Sequence, residues 1–218
     1  MTEIKTTGMP RIGDIAPDFT AQTTHGPITF SDWHGKDKGW VILFSHPADF
    51  TPVCSTELSE FAKRSGDFTA RGAKLMGISI DSIHSHLAWR ENLKQILDAD
   101  IEYPLVADID MNVSKLYGML HENTSATATV RAVFVIDPKR VVRALVYYPM
   151  NVGRNIDEIM RLLTALQTAD QHACATPVNW KPGDKVIVPP PKTVTDVKER
   201  ETHKEYERYD FYLNKKSI

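Results

Sequence analysis

Short apolar runs alternate with stretches of helical period along most of this chain. Trp40-Val41-Ile42-Leu43-Phe44 is short, bounded and partly β-branched, which predicts a buried strand. After it, Leu58, Phe61 and Ala62 open a helical apolar period. Lys74 to Ile80 predicts a second buried strand, and Ser82 to Leu97 a helix carrying Ile83, Leu87, Leu93 and Ile96. Leu105-Val106-Ala107 reads as a short strand and Val113 to Met119 as a short helix. Ala132–Ile136 and Val142–Tyr148 predict two strands of a hairpin, with Asp137-Pro138-Lys139-Arg140 supplying the turn. Ile156, Ile159, Leu162, Leu163 and Leu166 mark a helix from Ile156 to about Ala169. The order β-α-β-α-β-α-β-β-α predicts an α/β fold, a mixed sheet with helices on both faces.

The ends of the chain depart from this rhythm. Gly8 to Pro27 is rich in Gly, Pro and Thr, with short extended pieces such as Asp18-Phe19-Thr20-Ala21. Beyond the last helix, Pro177, Pro182 and Pro189-Pro190-Pro191 punctuate a tail that ends in the charged, aromatic-spotted segment Glu199 to Ile218. That tail is too poor in aliphatic residues to bury a core alone. The expected organisation is a domain over residues 1–171 and an arm over residues 172–218, packing on a partner or on its own domain.

Composition narrows the function. A net charge of -2 offers no electrostatic case for nucleic acid or an anionic membrane. No apolar run approaches the roughly 18 residues of a membrane span. Met1-Thr2-Glu3-Ile4-Lys5 lacks the layout of a secretory signal, and two cysteines imply no disulfide framework, so a cytoplasmic location is the default.

One of those cysteines carries the candidate chemistry. Thr51 suits a helix N-cap and Pro52 the first helical position, which puts Cys54 in the first turn. Unpaired N–H groups and the positive end of the helix dipole favour an anion there, so the sulfur is expected as a nucleophilic thiolate. A lone cysteine elsewhere is more often buried and inert. His84-Ser85-His86 has the look of a metal motif, but residues two apart on a helix face different directions, so a solvated helix is expected. There is no Gly-rich phosphate loop. Neither a metal nor a cofactor is expected.

Pro47-x-x-x-Thr51-x-x-Cys54 at a strand-to-helix junction resembles the peroxidatic motif of the peroxiredoxins. Arg131 opens a strand where that family keeps a catalytic arginine, and Gly153-Arg154-Asn155 resembles the segment holding its second. Ser45-His46-Pro47, Phe50 to Cys54 and Ala175 to Trp180 are similar to the one-cysteine branch, which holds peroxiredoxin 6 and archaeal thiol peroxidases. The resemblance runs from about Gly13 to Pro190.

It implies a thioredoxin-like fold with a C-terminal dimerisation arm, and thiol-dependent reduction of hydrogen peroxide and organic hydroperoxides in an antioxidant role. By the same resemblance Cys54 attacks the peroxide and becomes a sulfenic acid, Thr51 directs its hydroxyl at the substrate oxygen, and Arg131 stabilises the developing charge. Pro47 shields the thiolate, Glu57 orients an arginine, Arg154 adds a second positive charge, and His46 bonds the oxidised sulfur. The implied partners are a peroxide, an external thiol reductant and a second copy of the chain, as a homodimer or a decameric ring of dimers. Two alternatives stand beside this reading. Cys174 of a partner subunit could resolve the sulfenic acid, although it sits two residues out of register with the resolving cysteine of two-cysteine members; or the chain could be an oligomeric holdase. A disulfide oxidoreductase of thioredoxin type would want Cys-x-x-Cys, which Cys54-Ser55-Thr56-Glu57 does not supply.

Overall fold

The structure, a computed structural model, describes residues 9–218. The expectation about a signal at Met1–Lys5 falls outside them. Among the described residues no helix is long and apolar enough to cross a membrane.

The elements run β1 (Thr20–Thr23), β2 (Gly26–Thr29), α1 (Phe30–Gly35), β3 (Trp40–Ser45), α2 (Pro52–Lys63), α3 (Ser65–Ala70), β4 (Ala73–Ser79) and α4 (Ile83–Leu97). They continue with β5 (Leu105–Ala107), α5 (Asn112–Leu116), β6 (Arg131–Ile136), β7 (Val142–Tyr148) and α6 (Ile156–His172). The chain closes with β8 (Val186–Ile187), α7 (Val194–Arg200), β9 (Glu207–Arg208) and β10 (Asn214–Lys216). Seven strands form one mixed sheet in the order β2-β1-β5-β4-β3-β6-β7. β3, β4 and β5 are parallel, while β6 pairs antiparallel with β3 and β7 antiparallel with β6. This is the thioredoxin-like α/β fold expected from the sequence.

The central strand explains the order. All six residues of β3 are buried, as a strand covered on both faces requires, and this is why it reads as an unbroken apolar run. Its side chains alternate between two layers. Val41 and Leu43 join Phe30, Tyr117 and Phe134 in one cluster, whereas Phe44 stacks on Phe61 of α2 with ring centroids 4.0 Å apart. That stack fixes α2 against β3 and so sets where the first turn of α2 lies.

Some expectations shift. The Gly/Pro/Thr-rich N-terminal region holds a hairpin, β1–β2, turned at Gly26, whose φ of 88° suits glycine. In α4 the buried residues are His86, Trp89 and Leu93, while Leu87 and Ile96 are exposed. Of the expected apolar positions only Leu93 is buried, and a histidine and a tryptophan hold the other buried positions.

By compactness the chain divides into a unit ending at Ile156 and a second over Asp157–Ile218. The second has its own three-stranded antiparallel sheet, β8-β10-β9, and a small cluster of Ala165, Trp180 and Val186 with Cys174 packed against it. Tyr209, Phe211 and Tyr212 remain exposed, in line with a segment short of aliphatic residues.

Candidate active site

β3 ends at Ser45, and the loop Ser45–Thr51 leads into α2. Thr51 has the extended backbone of an N-cap (φ -113°, ψ 145°) and Pro52 follows in the first turn. The expected cap is only positional. The Thr51 hydroxyl makes no cap bond and donates instead to the Ala48 carbonyl at 2.8 Å. With its hydrogen committed, the Thr51 oxygen faces any further partner as an acceptor. Phe50, just before it, adopts a φ of 53°, an uncommon left-handed conformation that turns the chain into the helix. Pro47 is buried in the same loop.

Cys54 lies in the first turn of α2 with no exposed surface. Arg131, the first residue of β6, reaches it: Nη1 donates to the Cys54 sulfur at 3.4 Å and to Glu57 Oε2 at 2.6 Å. The rest of that guanidinium is held by one backbone oxygen, the Met150 carbonyl, at 2.9 Å from Nε and 2.6 Å from Nη2. Glu57 is one helical turn after Cys54, so the helix that places the sulfur also places the carboxylate.

Arg154 grips Glu57 from the other side. Its backbone N–H and Nε donate to Oε1 at 2.7 and 2.9 Å, and Nη2 donates to Oε2 at 2.7 Å. Its Nη1 donates to the carbonyls of Ser45 and Ala132 at 2.9 and 3.1 Å, which ties it to β3 and β6. The guanidinium also lies over the rings of Phe44 and Phe61, at 5.3 and 5.6 Å. Burial alone would push the Glu57 carboxyl up, but the charge and hydrogen bonds of Arg154, helped by Arg131, hold it below the usual carboxylate range. Two guanidinium groups against one carboxylate leave one positive charge in a buried place. Arg131 Nη1 holds that charge 3.4 Å from the Cys54 sulfur.

A second polar network begins one residue after β3. His46 Nε2 bonds Asp49 Oδ1 at 2.9 Å, and Asp49 Oδ2 bonds His86 Nδ1 at 2.8 Å. His86 Nε2 in turn bonds the Val106 carbonyl at 3.1 Å. Burial would raise the Asp49 carboxyl, yet hydrogen bonds from His46 and His86 hold it well below its usual range. Burial pushes His46 toward its neutral form, partly against the pull of Asp49. Among the described residues its Nδ1 has no hydrogen-bond partner. The donor atoms of His46, Asp49 and His86 all lie within 4.8 Å of one another, as a metal site would require. The hydrogen bonds among them already consume those atoms, so the cluster reads as a relay. This corrects the expectation of a solvated helix around His86, whose two nitrogens are both satisfied in the interior.

The structure thus joins Cys54, Glu57, Arg131 and Arg154 directly, sets Pro47 and Thr51 in the loop that starts α2, and puts His46 in an adjoining relay. Cys174 belongs to the second compact unit, where its sulfur faces the Thr168 carbonyl at 3.7 Å. Burial pushes its thiol up. Sequence reasoning missed Asp49, His86 and the Met150 carbonyl. Asp49 stands three residues after His46, and His86 shares a helix stripe with Trp89 and Leu93, which are the only signals for them. A backbone carbonyl leaves none.

Comparison with known proteins gives a consistent set of relatives. The AhpC/TSA family matches residues 12–145, and the C-terminal domain of 1-Cys peroxiredoxin matches residues 165–204. A protein named peroxiredoxin 2 from Caldanaerobacter subterraneus subsp. tengcongensis is 48% identical over 211 residues, covering 96% of this chain and 94% of the relative. A peroxiredoxin from Aquifex aeolicus is 49% identical over 221 residues, covering 96% and 98%. Among solved structures, a yeast mitochondrial 1-Cys peroxiredoxin, described for its thiol resolving mechanism via glutathione/thioredoxin systems, superposes with a TM-score of 0.87 at 40% identity, covering 96% of this chain and all of its own (100%). The C45S mutant of the peroxiredoxin 6 of Arenicola marina gives a TM-score of 0.84 at 35% identity, covering 95% and 97%.

Proposed function

The chain belongs to the peroxiredoxins, the AhpC/TSA family, and on that premise we propose that Cys54, Arg131, Thr51 and Pro47 form its peroxide site, with Glu57 and Arg154 fixing Arg131 and His46 serving the oxidised sulfur. The chain is a thiol-dependent peroxidase that reduces its substrate through Cys54 and is restored by a thiol reductant. In the first half-reaction a lone pair on the Cys54 thiolate forms an S–O bond with one peroxide oxygen while the O–O bond breaks. The departing oxygen leaves with the bonding electrons and takes up one proton, becoming water or an alcohol, and the sulfur becomes a sulfenic acid. In the second, one external thiol displaces water from the sulfenic acid and forms a mixed disulfide. A second thiol then frees the Cys54 thiolate and departs as a disulfide.

The observation that carries this reading is the single Arg131 nitrogen bridging the Cys54 sulfur and Glu57. It sets a fixed positive charge beside the attacking sulfur, the kind of preorganised electrostatics on which such reactions depend. The Thr51 oxygen, its own hydrogen bound to Ala48, suits a hydroperoxide O–H as donor. Buried Pro47 keeps water from the sulfur. The reductant is a small thiol or a thiol protein of the kind the yeast relative uses, the location is the cytoplasm, and the arm over residues 172–218 joins two copies, with a decameric ring of dimers as the larger assembly.

Mass spectrometry of both cysteines after graded peroxide tests the cycle. One added oxygen on Cys54 at the first equivalent, with Cys174 untouched, is the expected result. Oxidation of Cys174 first, or a Cys54→Ser protein that consumes peroxide as fast as the native one, overturns it.

A further inference from the structure

The relay behind His46 holds more hydrogen than a chance contact would need. The Val106 carbonyl can only accept, so His86 Nε2 carries a hydrogen. The Asp49 carboxylate can only accept, so His86 Nδ1 carries one too. His86 is thus a buried cation paired with Asp49. The other carboxylate oxygen accepts from His46 Nε2–H. Once Nε2 bears the hydrogen of a neutral ring, Nδ1 is a bare lone pair, and it is the buried nitrogen of this relay that has no partner. The relay is rigidly mounted. The His46 N–H donates to the Ile78 carbonyl at 3.0 Å, its carbonyl accepts from Thr129 at 2.8 Å, and the Asp49 N–H donates to Asp81 at 3.0 Å.

We infer that His86 and Asp49 are positioning residues that fix His46 as the Nε2–H tautomer, so that Nδ1 accepts the O–H of the incoming hydroperoxide or of the Cys54 sulfenic acid. This rests on the placement of His46 at the peroxide site. The charged groups that act most on His46 are Asp49 of its own loop, His86 of α4 and Asp81 of the loop after β4; Trp89 and Thr129 beside it are neutral. Of these, only the His86 cation opposes a second proton on His46. Without it the Asp49 carboxylate is left to His46 alone, the ring takes a proton on Nδ1 at a higher pH than in the native protein, and the acceptor is lost there.

The test compares native protein, His86→Gln and His46→Gln in single-turnover oxidation of the reduced enzyme by hydrogen peroxide across pH. For His86→Gln the acid limb of the rate profile moves up by about one pH unit, so the rate constant falls by up to about tenfold on that limb while that near pH 8.5 stays within about twofold of native. A profile that runs parallel to the native one at every pH marks a merely structural role and overturns the inference. If His46→Gln matches native protein throughout, the placement of His46 at the site fails; if His46→Gln is slow and His86→Gln is native-like, only the relay fails. A second measurement needs no variant. Long-range hydrogen–nitrogen NMR of the native protein labelled at histidine is expected to show His46 with hydrogen on Nε2 alone and His86 with hydrogen on both nitrogens. Hydrogen on His46 Nδ1 at neutral pH overturns the proposal.

Discussion

Glu57 shows how one side chain can be both costly to bury and indispensable. Its carboxylate stands between two guanidinium groups with almost no exposure, and neither arginine can return to water if it is removed. Breaking such a buried cluster by deleting one partner costs about 3–5 kcal/mol. Glu57→Gln keeps the shape and removes the charge, so chemical denaturation near neutral pH is expected to show a loss of that order. The pH dependence has a definite sign. The folded carboxyl binds its proton more weakly than the unfolded one, so its contribution is complete above the ordinary carboxylate range. It is lost as pH falls below that range toward the depressed folded value. The gap between native protein and Glu57→Gln should therefore close on acidification. A gap that stays constant from neutral to strongly acidic pH would show that the charge of Glu57 is not what holds the arginines. The sequence already offered Cys54, Glu57, Arg131 and Arg154 as candidates. What it withheld is that Arg131 alone touches the sulfur, because Arg154 spends its donors on Glu57 and on backbone carbonyls.

At the level of elements, the legible parts are the fully or largely buried apolar strands β3, β4 and β6, and the half-buried hairpin strand β7. Their limits differ from the sequence reading by a residue or so. The β1–β2 hairpin escaped because its strands are short, edge-placed and rich in Thr and Gly, with burial alternating weakly. α4 was placed correctly but its buried face was read only in part, since a polarity pattern cannot reveal a buried histidine whose partners, Asp49 and Val106, come from distant loops and strands. The same reason hid the relay. The uneven burial along α4 has a direct consequence for stability. Leu93 is fully buried and Ile96, three residues on, is 62% exposed. Leu93→Ala should destabilise by about 2–5 kcal/mol, whereas Ile96→Ala should stay within about 0.5 kcal/mol of native. Urea titrations of both variants decide it, and the reverse ranking would show that Ile96 rather than Leu93 packs into the core.

For the whole molecule, the question is whether the second compact unit supplies a reactant or only a surface. Cys174 is its one thiol, half-buried beside the Ala165, Trp180 and Val186 cluster, with the sulfur turned to the Thr168 carbonyl. A resolving cysteine must attack a sulfenic acid as a thiolate, at a rate set by its ionised fraction and its access. Burial works against the first at Cys174, outweighing the nearby Lys216 charge, and partial burial works against the second. The cysteine also leaves two residues between itself and Pro177, so a chain built to present it there would need a different turn. Cys174→Ser is therefore expected to turn over peroxide at the native rate with dithiothreitol, and to give the same pattern as native protein on a non-reducing gel after one equivalent of peroxide. If native protein instead forms a covalent dimer that the substitution abolishes, the unit beyond Ile156 carries a catalytic sulfur and the cycle is a two-cysteine one. A dimer that persists in Cys174→Ser would be joined through Cys54 alone, leaving the one-cysteine assignment of Cys174 intact.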